Sequence, residues 1–89
     1  MVSEKVTVIN KQGLHARHAG LFAREMAAFK SEMTILAGAK KVNAKRVMQL
    51  MTACIKCGTE VELQCEGPDE AEMLKKAVEL IKSGLGDEI

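Results

Sequence analysis

Hydrophobic and polar positions alternate or recur with a clear period along most of the chain. Val6 and Val8 alternate with Lys5, Thr7 and Ile9, which predicts a first strand over residues 3–9. A loop follows over Asn10–Gly13. In residues 16–28 the apolar positions Ala19, Phe22, Ala23, Met26 and Ala27 recur at helical spacing, and most residues there are good helix formers. Met33 and Ile35 mark a second strand over 32–37, Gly38 a turn, and residues 40–43 a short returning strand. Val47, Leu50, Met51 and Cys54 line one face of a short helix. Val61, Leu63 and Cys65 alternate with Glu60, Glu62, Gln64 and Glu66, a strand with one buried face and one acidic, wet face. Gly67-Pro68 breaks the chain. Asp69 is expected to cap a last helix, with Glu72 completing a box-like pairing. Ala71, Leu74, Val78 and Ile81 are its expected buried stripe, and Gly84 its stop. The order β-α-β-β-α-β-α predicts an α+β fold: a two-layer open-faced sandwich, a four-stranded antiparallel sheet with three helices on one face.

The length of 89 residues implies a single domain over 1–89 with a thin core. No apolar stretch approaches the roughly 20 residues of a membrane span, and the start Met-Val-Ser-Glu-Lys has no signal-peptide core. Direct membrane insertion is therefore not expected. Phe22 and Phe29 are the only aromatic residues, which argues against nucleic-acid readers that stack bases on exposed rings. Three cysteines cannot pair completely, so they are read as reduced and the protein as cytoplasmic. The net charge of +1 hides an asymmetry. Residues 1–58 hold ten basic and three acidic side chains, net +7; residues 59–89 hold three and nine, net −6. Such a surface can steer an oppositely charged partner.

Candidate chemistry concentrates in Gly13-Leu14-His15-Ala16-Arg17-His18-Ala19, where a loop becomes a helix. The first N–H groups of a helix lack intrahelical partners and the dipole there is positive, so this end suits an anion. That potential, raised further by Arg17, disfavours imidazolium and keeps His15 a neutral nucleophile. Once His15 carries a phosphoryl group, the same N–H groups and guanidinium stabilise the added charge. A lone histidine beside an arginine would be read as a loop residue without a role.

The whole segment resembles the active-site motif Gly-(Leu/Ile)-His-Ala-Arg-Pro-Ala of the HPr family, the histidine-containing phosphocarriers of the bacterial sugar phosphotransferase system. Val42-Asn43-Ala44-Lys45-Arg46-Val47-Met48-Gln49-Leu50-Met51 is similar to that family's Val-Asn-(Leu/Ala)-Lys-Ser-Ile-Met-Gly-Val-Met, and Lys82-Ser83-Gly84-Leu85-Gly86 matches its ending. The resemblance covers the whole chain. It implies that His15 takes a phosphoryl group from enzyme I, itself charged by phosphoenolpyruvate, and passes it to a histidine of sugar-specific enzyme IIA domains. Arg17 is then the electrostatic partner, with phosphate contacts at Ala16, Arg17 and His18. No cofactor or metal is implied, and the carrier is expected to be a monomer without enzymatic turnover of its own. The expected docking patch comprises Leu14, Arg24, Lys45, Arg46, Val47, Met48 and Met51, with Phe22 a weaker candidate. Met48 is expected outside and Met51 partly so, because methionine suits a surface that meets several partners. Arg17, Arg24, Lys45 and Arg46 are expected on one side around His15.

Two departures stand out. His18 replaces the motif's proline and is expected to be a solvated substitution. Arg46 replaces a serine that a dedicated kinase phosphorylates in many relatives, so that modification is impossible here and a helix cap is lost. Cys54-Ile55-Lys56-Cys57 alone would suggest a thiol-redox or metal carrier. Its place at a helix end and the lack of further ligands make that the weaker alternative. Cys54 and Cys65 are expected in the core. A regulatory carrier of a nitrogen-related phosphotransferase branch is the alternative within the same class.

Overall fold

The computed structural model describes residues 1–10, 13, 16–53 and 55–85. The elements run β1 (Val2–Thr7), α1 (Ala16–Ala27), β2 (Glu32–Ala37), β3 (Lys40–Asn43), α2 (Val47–Thr52), β4 (Glu60–Glu66) and α3 (Glu70–Lys82). This is the expected order. The strands form one antiparallel sheet in the order β1-β4-β2-β3, with the three helices on one face.

The first strand is shifted from the expected 3–9 because β4 sets its length: pairing runs from Val2 opposite Cys65 to Thr7 opposite Glu60. Val8 stays tied to the chain before β4, its N–H donating to Thr59 and its carbonyl accepting from Gly58. Alternation does the rest. Val6, Met33, Ile35, Val42, Val61, Leu63 and Cys65 turn inward, and Phe22, Met26, Leu50, Met73, Ala77 and Ile81 descend from the helices to meet them. Cys65 is in the core as expected, where burial, helped by the nearby Glu70 charge, pushes its thiol up to about 11. The outer face keeps Ser3, Lys5, Thr7, Glu60, Glu62 and Gln64 toward water.

The buried stripe and the N-terminus of α3 differ in part from the expectation. Its buried stripe is Met73, Ala77 and Ile81; Leu74 and Val78 are half-buried and Ala71 is exposed. The helix is rotated so that its bulkier Met73 fills the space over the sheet. Asp69 stands at the N-cap without a side-chain cap bond. Its carboxylate instead accepts the N–H groups of Lys30 and Ser31, at 2.9 and 2.8 Å, and the Ser31 hydroxyl. The Asp69 N–H donates to Ser31 Oγ, not to Glu72, and it is Glu70 that accepts the Gly67 N–H. Asp69 thus joins the start of α3 to the start of β2, 38 residues away. These donors, the Ser31 hydroxyl foremost, hold its carboxyl down at about 2. Gly84 ends α3 as expected. It sits at φ +81°, with Gly84 N–H on the Ile81 carbonyl and Leu85 N–H on the Leu80 carbonyl.

Candidate functional site

His15 and Leu14 lie outside the described residues, as does Cys54. What surrounds position 15 in the chain is well defined. Gly13 has φ +70°, and its N–H donates to the Asn10 carbonyl at 2.9 Å. There is no room for a side chain on it, because a Cβ would run into the Ile55 carbonyl oxygen and lie 2.8 Å from Lys56 Cα. Asn10 is itself buried and donates from Nδ2 to the Gly84 carbonyl at 2.5 Å. The chain before position 15 is therefore anchored to the end of α3 and backed by the segment leading to β4.

α1 begins at Ala16, the residue after His15 in the chain, so the N–H groups of its first turn lack intrahelical partners. Ala16 and Arg17 are exposed. No acidic residue occupies that turn, so the helix end keeps its positive potential. Ala16, Arg17, Gly20, Leu21, Arg24 and Leu85 line an open groove of about 550 Å³. Arg17 and Arg24, two turns apart, thus bracket a shallow surface with an apolar floor. Gly20, Leu21 and Leu85 were missed in the sequence. The only signal available was Gly20 itself, since a glycine inside a helix costs stability and invites a packing or functional reason.

His18 is corrected. Its ring is not solvated but buried, 1% exposed, with Nδ1 3.1 Å from the Gly13 carbonyl oxygen. The ring turns inward because the Gly13 carbonyl offers it an acceptor within hydrogen-bond reach.

Of the cations expected in the docking patch, Lys45 is engaged: its ammonium donates to the Phe29 carbonyl at 2.9 Å and lies 3.9 Å from a Glu32 carboxylate oxygen. Arg46 is exposed at the start of α2, in extended geometry and without a side-chain cap bond. Met48 is 70% and Met51 38% exposed, Val47 is half-buried, and Phe22, fully buried, belongs to the core. Cys57 is exposed. Among the described residues no cluster of three or more His, Cys, Asp or Glu side chains could hold a metal, and no helix is long and apolar enough to cross a membrane.

A family model described as the PTS HPr component phosphorylation site matches residues 2–83. A phosphocarrier protein HPr of Neisseria meningitidis is 37% identical over 87 residues, covering 98% of each chain. Among solved structures, HPr of Thermoanaerobacter tengcongensis superposes over 100% of both chains with a TM-score of 0.95 at 40% identity. Crh of Bacillus subtilis, described as a dimer with a swapping domain, matches with a TM-score of 0.76 at 43% identity, covering 94% of this chain and 97% of its own.

Proposed function

Since the chain belongs to the HPr family of phosphocarriers of the phosphotransferase system, we propose that it accepts a phosphoryl group on His15 from enzyme I and passes it to a histidine of sugar-specific enzyme IIA domains. The observation that carries this reading is Arg17. It stands exposed in the first turn of α1, two residues after His15, on the rim of an open groove. A cation at a helix N-terminus does nothing for helix stability. Its position suits an anion that arrives and leaves.

In the forward step a neutral ring nitrogen of His15 attacks the phosphorus. A new N–P bond forms as the donor's N–P bond breaks, and the donor imidazole leaves with the electron pair. The charge on the transferred oxygens falls beside the Arg17 guanidinium and the N–H groups of Ala16 and Arg17. Donation to the next histidine is the same exchange in reverse. A carrier must not hold its cargo tightly, and an exposed helix end offers less stabilisation than a closed pocket would. The chain, a single domain over 1–89, turns over no substrate alone; it is a cytoplasmic relay.

Docking falls to Leu14, Arg24, Arg46, Val47, Met48 and Met51, with Lys45 contributing least because its charge is engaged at Phe29. Exposed Met48 and Met51, on the helix that Arg46 precedes, provide an apolar surface with a cation at its start. The working unit is the monomer, in which all four strands pair within one chain. Sedimentation of the phosphorylated and free forms tests that directly, against the dimer described for Crh.

The decisive experiment is incubation with enzyme I and phosphoenolpyruvate, read by intact mass. The parent chain is expected to gain one acid-labile phosphoryl group and His15→Ala none. Labelling that persists in His15→Ala and disappears with His18 would reverse the assignment. Arg17→Ala should slow transfer without lowering the melting temperature.

A further inference from the structure

The imidazole of His18 is fully enclosed, and a polar ring is costly to bury unless its nitrogens are bonded. Nδ1 faces the Gly13 carbonyl oxygen at 3.1 Å. A carbonyl can only accept, so Nδ1 carries the hydrogen and donates it. The bond joins a residue two positions before His15 to one three positions after it. Gly13 is a fixed post for such a brace: its N–H is taken by Asn10, its α-carbon is pressed against the backbone of Ile55 and Lys56, and its φ is +70°. The remaining group of that residue, its carbonyl, is the one His18 holds.

Resting on the carrier reading above, we propose that His18 is a positioning residue. Its buried ring ties the chain that precedes the phosphoryl acceptor to the helix that follows it, and so sets the approach of His15 to the partner's phosphoryl group. Proline at the same place in the motif restrains the first turn by fixing its own φ. His18 supplies the restraint through a side-chain hydrogen bond across the loop.

The test compares steady-state phosphoryl transfer from enzyme I among variants at this position. His18→Leu and His18→Met fill the space without a donor. His18→Asn keeps an N–H near the place of Nδ1, and His18→Pro restores the backbone restraint. The donorless variants are expected to fold, by circular dichroism, and to lose about three- to tenfold in kcat, the worth of one buried hydrogen bond. The KM of enzyme I for the carrier should stay unchanged, because the groove and the Met48–Met51 surface are untouched. Asn and Pro should recover most of the loss. Transfer by the Leu and Met variants equal to the parent's overturns the proposal. So does unfolding of both, or a loss of kcat that neither Asn nor Pro repairs. A parent chain that takes up no phosphoryl group refutes the carrier reading itself and the inference with it, a result that none of the comparisons at position 18 can mimic.

Discussion

Replacing Gly13 by alanine perturbs the chain two residues before His15 in two separable ways. The first is conformational. At φ +70° an L-residue with a side chain costs about 1–2 kcal/mol. The second is steric. The new methyl would collide with the Ile55 carbonyl oxygen and the Lys56 α-carbon, both backbone atoms, so no side chain can swing aside. Forced overpacking of this kind costs about 1–3 kcal/mol. Loss of glycine's freedom in the unfolded chain returns about 0.4–1 kcal/mol. The net expectation for Gly13→Ala is a loss of about 1–4.5 kcal/mol. Gly38 is the internal control. It has φ +61°, but a Cβ there meets nothing within 4 Å. Gly38→Ala therefore carries the conformational cost alone, a net loss of about 0–1.5 kcal/mol. Urea unfolding of both variants, at a common m-value, measures the difference. A gap of about 1–3 kcal/mol is the expected signature of the close approach between residue 13 and the segment 55–56. Equal losses would refute it, and with it the view that this segment backs Gly13.

Gly20 is helical and its Cβ would meet nothing, so Gly20→Ala should stabilise the fold by about 0.5–1 kcal/mol in thermal unfolding. If the groove between Arg17 and Arg24 receives partners, the same change should weaken binding to enzyme I in calorimetry. Asp69, held down at about 2 against an ordinary 3.8, stabilises the fold above the ordinary value and loses that contribution as pH falls through the lower one. Asp69→Asn should therefore flatten the acid limb of the stability curve between about pH 4 and pH 2, measured by urea midpoints across that window. Arg46 has the extended backbone of an N-cap but no acceptor, so Arg46→Ser should add about 0.5–2 kcal/mol. It should also slow association with enzyme I at low salt, by stopped flow, with the difference vanishing as salt screens the charge.

Local periodicity was enough for β2, β3 and β4, whose alternation is bounded by Gly38 and by Gly67-Pro68. It was also enough for α1, where five of its positions recur at helical spacing and only Ala27 proves exposed. The motif around His15 could be read locally for the same reason: the proposed acceptor, Arg17 and the helix start at Ala16 are neighbours in sequence. What escaped were contacts made across the chain. The phase of α3 follows from how Met73 and Ala77 seat on the sheet, a choice that leaves Ala71 in water. Asp69 reads as a cap, yet the unpaired N–H groups of Lys30 and Ser31 reach it first once the sheet brings them close. Lys45 reads as part of a basic patch, yet the turn after α1 presents it with the Phe29 carbonyl. His18 reads as a surface substitution, because nothing in its neighbours reveals that its ring is buried against the Gly13 carbonyl. Sequence determines which residues can accept, donate or bury. Only the packing of helices on the sheet determines which partner each one meets, because those partners are supplied by segments far along the chain.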